Sequence, residues 1–189
     1  MAAETIAELI ERNRIDPRRI GRIYLGTESA LDMAKPTATY AVGMVEDRLA
    51  GRYGPGCLRH CDVLDMTFAC IGATDALHNT LDWVATDPDN IAIVVASDIA
   101  KYELGSTGEY TQGAGAVAML VRWNPRLLAI RRLFGVAMEN VHDFYKPRRE
   151  RYSDTPVFDG QYSNQCYQNR MTEALADFRR RAVAAGVFR

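Results

Sequence analysis

The 189-residue chain is poor in the features that mark specialised protein classes. It has four cysteines, Cys57, Cys61, Cys70 and Cys166, too sparse for a disulfide scaffold, so a reducing, cytoplasmic setting is expected. Cys57 and Cys61 flank His60 in CLRHC, but no second ligand cluster follows, and no metal is expected. Neither sign of charge prevails. The 23 Lys and Arg against 24 Asp and Glu leave a formal net charge of −1, and no global field draws the chain to nucleic acid or anionic membrane. No apolar run reaches the roughly 18 residues of a membrane helix. The opening MAAETIAELIERN is amphipathic and acidic, unlike a signal or transit peptide. Internal repeats, low-complexity tracts and an obvious domain boundary are also missing.

What is there reads as an ordinary globular α/β chain, with 48% hydrophobic and 25% charged residues. Ile6, Leu9 and Ile10 share a face at helical spacing over residues 4–13, until Asp16-Pro17 starts a turn. Residues 20–25 (IGRIYL) predict a strand, and Pro36 opens a helix to about Arg52. GRYGPG at 51–56 is a loop. VLDMTFA at 63–69 predicts a buried strand, followed by a helix from near Cys70 to Asp87-Pro88. IAIVVA at 91–96 is the clearest strand; residues 113–123 predict another, with Leu127–Ile130 a candidate partner, and about 164–183 is helical. Strands alternate with helices early and lie close together later. That pattern gives an α/β sheet, mainly parallel with some antiparallel edge pairing and helices on both faces. The chain opens and closes in helices, as if both ends were cut from something larger.

Three positions can carry chemistry. Cys70 falls where a strand gives way to a helix, in ACIGAT. The first-turn N–H groups of a helix lack internal partners, and a thiol there ionises more readily and attacks better. The same groups can hold the oxyanion of a thioester under attack, and the small neighbours leave room for substrate; a buried structural cysteine is the alternative. Glu28, in GTES after the first strand, lies where open α/β sheets bind ligands. It is either an acid/base or a loop or capping carboxylate. Asp98, in ASDIAKY, follows a strand likewise. The stretch GSTGEYTQGAGA at 105–116 admits close backbone approach but lacks the Lys-Ser/Thr ending of a phosphate loop. His142, in HDFYKP, reads on its own as a structural hydrogen-bonder, and the basic run Lys146, Arg148, Arg149 and Arg151 as either a solvated loop or a phosphate contact.

In order, GTESALDMAKPTAT (26–39), FACIGAT (68–74), SDIAKYELGSTGEYTQGAGAVAML (97–120), HDFYKP (142–147) and PVFDGQYSNQCY (156–167) resemble five signatures of the 3-hydroxy-3-methylglutaryl-CoA (HMG-CoA) synthase family. The resemblance implies a thiolase-like fold, of which this chain is the amino-terminal half without the first strand. It implies Cys70 as the acyl-carrying nucleophile and Glu28 as its acid/base. It implies Asp32, Asp98 and Asp159 as supporting carboxylates, and Ser106, Thr111, Phe158 and Gly160 along the substrate. Acetyl-CoA and acetoacetyl-CoA are the implied substrates, with no cofactor beyond these coenzyme A thioesters. The implied assembly is a homodimer, or a pairing with a complementing carboxy-terminal half. Ile71 stands where many members have a tyrosine, removing a phenol near the thioester, and the segment between Lys35 and Cys70 is longer than in some. The family's catalytic histidine comes from the second half; His60, His78 and His142 do not match its motif. Two rival readings follow: a polyketide β-branching synthase acting on acyl carrier protein thioesters, and a non-catalytic fragment or subunit.

Overall fold

The computed structural model describes residues 1–146 and 155–187, which form two compact units. The first comprises Met1–Ala100 and Thr111–Ala129. Its elements are α1 (Ala2–Arg12), β1 (Ile20–Thr27), α2 (Thr37–Tyr53), β2 (Asp62–Thr67), α3 (Gly72–Val84), β3 (Ile91–Ala100) and β4 (Gly113–Arg122). The sheet order is β2-β1-β3-β4, with β1 parallel to both neighbours and β4 antiparallel to β3.

Side-chain alternation along the strands sorts the core into two layers. Ile23 and Leu25 of β1 and Ile93 and Val95 of β3 pack with Ile6 and Ile10 of α1 and with Val42, Val45 and Leu49 of α2. Tyr24, Ala92 and Val94 turn to the opposite face, against Ala76 and Val84 of α3. Because β1 and β3 are covered on both faces, their apolar runs are nearly continuous. Each fully buried Ile, Leu or Val contributes about 1.5–3 kcal/mol relative to exposure.

Charge also ties α3 to the sheet. The Arg22 guanidinium lies between the rings of Tyr24 and Trp83, 4.6 and 4.8 Å from their centroids. It donates to the Asn79 side chain at 3.0 Å and faces Asp62 at 3.6 Å. The Tyr24 hydroxyl donates to Asp62 at 2.7 Å. Burial, with that hydrogen bond second, pushes the phenol up to about 12.

Several expectations differ from the structure: α2 runs on through Tyr53, into the stretch expected as a loop, and β3 runs to Ala100, so that Asp98 lies within the strand rather than after it. The segment at 63–69 is not a buried central strand. It forms the edge strand β2, in which Leu64 stays exposed, because Asp62 and Asp65 occupy positions an interior strand would give to apolar residues. Leu127–Ile130 forms no strand, and Leu127 and Leu128 are exposed.

The second unit holds Lys101–Tyr110 and the described residues from Ile130 onward. A two-residue pairing joins β5 (Phe144–Tyr145) to β6 (Val157–Phe158), and the long helix α4 spans Gly160–Ala184. Phe158 meets the Tyr102 ring edge-on at 5.6 Å. Asp159 caps α4, accepting from the amides of Gln161 and Tyr162 at 3.1 and 3.0 Å.

Candidate active site at the carboxyl ends of the strands

From β1 the chain passes through α2 to β2 on one side, then through α3 to β3 on the other. The carboxyl ends of β1 and β3 therefore border the crevice that such a reversal creates in an open sheet. Backbone pairing between them stops at Gly26 and Ala96. Beyond that point side chains take over. One oxygen of Asp98 accepts from the Thr27 hydroxyl (2.9 Å), the Glu28 amide (2.7 Å) and the Ser29 hydroxyl (3.0 Å). Ser29 Oγ in turn accepts from the Ile99 amide at 2.9 Å. Glu28 is thus held by its backbone, half-buried, at the mouth of the crevice.

Cys70 stands in the tight turn between β2 and α3, two residues before the helix begins. Its φ is +32°, a left-handed conformation that costs a non-glycine residue about 1 kcal/mol or more and occurs at strand-turn-helix elbows that lift a nucleophile out of the sheet. Its thiol is exposed. The other cysteines are worse candidates. Cys57 and Cys166 are buried, and Cys61 is pushed up to about 12, first by burial and then by Asp62. The first turn of α3 is partly self-satisfied: the Gly72 amide donates to Phe68 O at 3.1 Å and the Thr74 amide to Ile71 O at 2.8 Å. The set of amides that could hold an oxyanion is narrower than the sequence alone implies.

Two glycines bring the segments together. A Cβ on Gly26 would lie 2.0 Å from Ala73 N, and one on Gly72 would lie 2.5 Å from Met66 O and 3.3 Å from Gly26 Cα. The start of α3 therefore rests directly on the end of β1, two residues before Glu28 and two after Cys70.

Carboxylates also organise the loop after Glu28. Asp32 accepts from the amides of Ala34 and Lys35 (2.8 and 3.0 Å) and from the Tyr40 hydroxyl (3.0 Å). Asp65 of β2 accepts from the first amides of α2, Thr37 (2.5 Å) and Ala38 (2.8 Å), capping that helix across the sheet. The amides of Lys35 and Ala34, with Tyr40 third, hold the Asp32 carboxyl down to about 2, against an ordinary 3.8. A folded-state value below the unfolded one stabilises above the unfolded value and is lost as pH falls through the folded one. We expect the loop's contribution to be complete above about pH 4 and to vanish toward pH 2, with Asp32→Asn removing that acid-dependent phase. Carboxyl carbon shifts followed by NMR during an acid titration check this; an Asp32 midpoint near 3.8 would contradict it.

The remaining expected residues divide between the units. Thr111 is exposed in the first and, with Asp98 and the small residues Gly113–Val117, lines an open depression of about 480 Å3 that does not include Cys70 or Glu28. Ser106, Phe158, Asp159 and Gly160 lie in the second: Ser106 in a turn, Phe158 in β6, Asp159 and Gly160 at the start of α4. His142 makes an edge contact with Tyr145 at 5.6 Å. Of the basic run only Lys146 is described; Arg148, Arg149 and Arg151 lie outside the described residues. Reading the sequence missed Thr27, Ser29, Asp65 and Gly26. The first two carried a faint signal, hydroxyls on both sides of the glutamate. The others depend on contacts between segments far apart in sequence.

Residues 1–125 match the family model described as hydroxymethylglutaryl-coenzyme A synthase N terminal, and residues 128–186 match its C terminal counterpart. The chain is 38% identical over 180 residues to a hydroxymethylglutaryl-CoA synthase of Haloferax volcanii, covering 94% of this chain and 38% of that protein. It is 37% identical to the cytoplasmic hydroxymethylglutaryl-CoA synthase of Gallus gallus, covering 95% of this chain and 33% of the other. Among solved structures it matches MvaS in complex with 3-hydroxy-3-methylglutaryl coenzyme A at TM-score 0.84 and 38% identity, over 100% of this chain and 43% of that one. The curacin pathway HMG synthase in complex with its acetyl donor carrier protein (acetyl donor-ACP) matches at TM-score 0.79 and 25% identity, over 95% and 42%. The chain thus spans less than half the length of each of these relatives.

Proposed function

Because the chain belongs to the hydroxymethylglutaryl-CoA synthase family, we propose that it carries the acylation and proton-transfer half of an acyltransferase that joins an acetyl group to acetoacetyl-CoA, giving HMG-CoA for the mevalonate route to isoprenoids. The observation that supports this best is the position of its one exposed thiol. Cys70 sits on a strained elbow whose backbone is packed against the strand end that presents Glu28.

The chemistry follows from those two groups. The Cys70 thiolate attacks the carbonyl of acetyl-CoA, the C–S bond to coenzyme A breaks, and its thiol leaves. The acetyl group is then held as a thioester, whose α-protons are more acidic than those of an ester, and an intermolecular encounter becomes an oriented one. The Glu28 carboxylate takes one α-proton. The resulting enolate attacks the ketone carbon of acetoacetyl-CoA, and Glu28 returns the proton to the new alkoxide. Water then cleaves the enzyme thioester, releasing HMG-CoA and restoring the thiol. Asp98 serves by fixing the Glu28 backbone, and Asp32 by ordering the loop that follows. Thr111, Ser106, Phe158 and Gly160 are assigned to the substrate and Asp159 to the supporting carboxylates. Greater identity to the MvaS structure (38%) than to the carrier-protein-bound synthase (25%) favours coenzyme A thioesters over carrier-protein thioesters. A cytoplasmic location and either a homodimer or a complementing carboxy-terminal half complete the proposal.

The test is the Glu28→Ala variant, assayed beside the parent chain with acetyl-CoA and acetoacetyl-CoA. With a complementing carboxy-terminal half supplied to complete the site, the parent is expected to take up acetyl and form HMG-CoA. The variant should still take up acetyl but condense about a hundredfold or more slowly, the usual scale for loss of a general acid/base. Normal condensation by Glu28→Ala would remove Glu28 from this role.

A further inference from the structure

We propose that Ser29 is a positioning residue: its hydroxyl, with Asp98, replaces the missing backbone ladder between β1 and β3 and thereby fixes where Glu28 stands. This rests on the acid/base reading of Glu28 given above, but its structural half can be tested alone.

In a parallel ladder each strand's amides donate to carbonyls of the next. Past Gly26 and Ala96 this no longer happens: β1 ends at Thr27, while β3 runs on to Ala100 beside β4. The amides that face each other beyond the last pair still need acceptors. Asp98 supplies one to Glu28, at 2.7 Å, and Ser29 supplies one to Ile99, at 2.9 Å. The two side chains thus cross the gap in opposite directions, each ending on the other strand's backbone. They are also bonded to each other. The Ile99 amide can only donate, so the single hydroxyl hydrogen of Ser29 is directed to Asp98 at 3.0 Å. Thr27 closes the ring: its hydroxyl donates to the same Asp98 oxygen, and its Oγ1 accepts from the Ser29 amide at 3.1 Å.

The Thr27 and Ser29 hydroxyls also approach each other at 3.4 Å, and Ser29 is the only member that both donates and accepts through the same side-chain atom across the gap. An alanine would leave the Ile99 amide without its acceptor and Asp98 with one donor fewer. The carboxylate would then be freer to move, and the Glu28 amide with it. The ring keeps the strand ends apart yet defined, which a crevice carrying a catalytic carboxylate requires.

Amide hydrogen exchange read by NMR on the 189-residue chain tests the structural half. In Ser29→Ala, exchange at Ile99 and Glu28 should rise up to about tenfold, the scale of one lost hydrogen bond. Leu25 and Val94, deeper in the same strands, should exchange as before, and Ser29→Thr, which keeps the hydroxyl, should restore protection. Parent-like protection of Ile99 and Glu28 in Ser29→Ala overturns the proposal. If that variant does not fold, Ser29→Cys keeps the size but accepts poorly, and the same two amides decide. In the condensation assay, Ser29→Ala should lower kcat about tenfold with KM little changed, and Ser29→Thr should recover it. A parent chain that forms no HMG-CoA even with the complementing half supplied would count against the acid/base reading while leaving the exchange result to judge the ring.

Discussion

Replacing Cys70 with serine is expected to abolish acyl transfer. The parent protein, given acetyl-CoA in a complete site, should gain about 42 Da, the mass of an acetyl group less one hydrogen, through the covalent route. Cys70→Ser should gain nothing measurable. A serine hydroxyl keeps the geometry of the turn but is a far weaker acid than a thiol and is not ionised near neutral pH. The loss should exceed about a thousandfold in rate, equivalent to about 4 kcal/mol of barrier. Because the side chain is exposed and little volume changes, the melting temperature should stay close to the parent's. The three other thiols are the built-in controls. Cys57 and Cys166 are buried, and Cys61 is half-buried with its ionisation suppressed by that burial, so none should accept the acyl group in its place. Intact mass followed by peptide mapping checks both parts. An adduct that persists in Cys70→Ser, on any other cysteine, would sink the assignment of the nucleophile.

How much of this could be read from the chain alone depends on the range of the forces involved. The apolar runs of β3 and β1 are local properties, and both strands start where the sequence places them, at Ile91 and Ile20. The start of α2 was legible from Pro36, but its actual cap was not: Asp65 lies 27 and 28 residues beyond the amides it receives. The same carboxylate explains the one misread strand. Counted by hydropathy, VLDMTFA looks interior. In three dimensions Asp62 and Asp65 are both engaged at the edge, one with Tyr24 and one with α2. Leu127–Ile130 fails for a related reason, since an apolar quartet makes a strand only where a neighbouring edge accepts it, and here none does. Glu28 was identifiable as a carboxylate after a strand; Asp98 was expected after one too, but lies inside β3, which runs on to Ala100. Their connection was not identifiable, because it spans 70 residues and passes through a serine and a threonine that look ordinary in sequence. Asp159 shows the converse case. Resemblance marks it as a site carboxylate, while its visible work is to cap α4, and both roles draw on the same property, an acceptor aimed at backbone amides.

Gly26→Ala should be the most damaging single-methyl change near the site. The residue's backbone conformation is ordinary for a strand, so conformational freedom is not why glycine is there; space is. The added Cβ would sit 2.0 Å from Ala73 N, 2.4 Å from Ala73 Cα and 2.5 Å from the Gly72 carbonyl carbon. All three are backbone atoms in the first turn of α3, and no side-chain rotation can relieve them. The helix cannot simply slide away either, since Gly72 is pinned from the other side: its own Cβ position is 2.5 Å from Met66 O. Either α3 lifts off β1, exposing Ala76 and the sheet face beneath, or the end of β1 bends. Both cost more than typical overpacking, and we expect a loss of about 3 kcal/mol or more. For a chain of this size that corresponds to a fall of roughly 6–12 °C in melting temperature. Gly43→Ala, on α2 with nothing within 4 Å of its added methyl, is the matched control and should be neutral or slightly stabilising, since alanine is the better helix former. The two segments that clash are those that carry Cys70 and Glu28, so any Gly26→Ala protein that does fold should have them out of register. Alkylation of Cys70 should then change in rate while condensation falls further than the stability loss accounts for. A Gly26→Ala protein that melts with the parent and reacts like it would mean that β1 and α3 do not touch there, and the common support proposed for nucleophile and base would be gone.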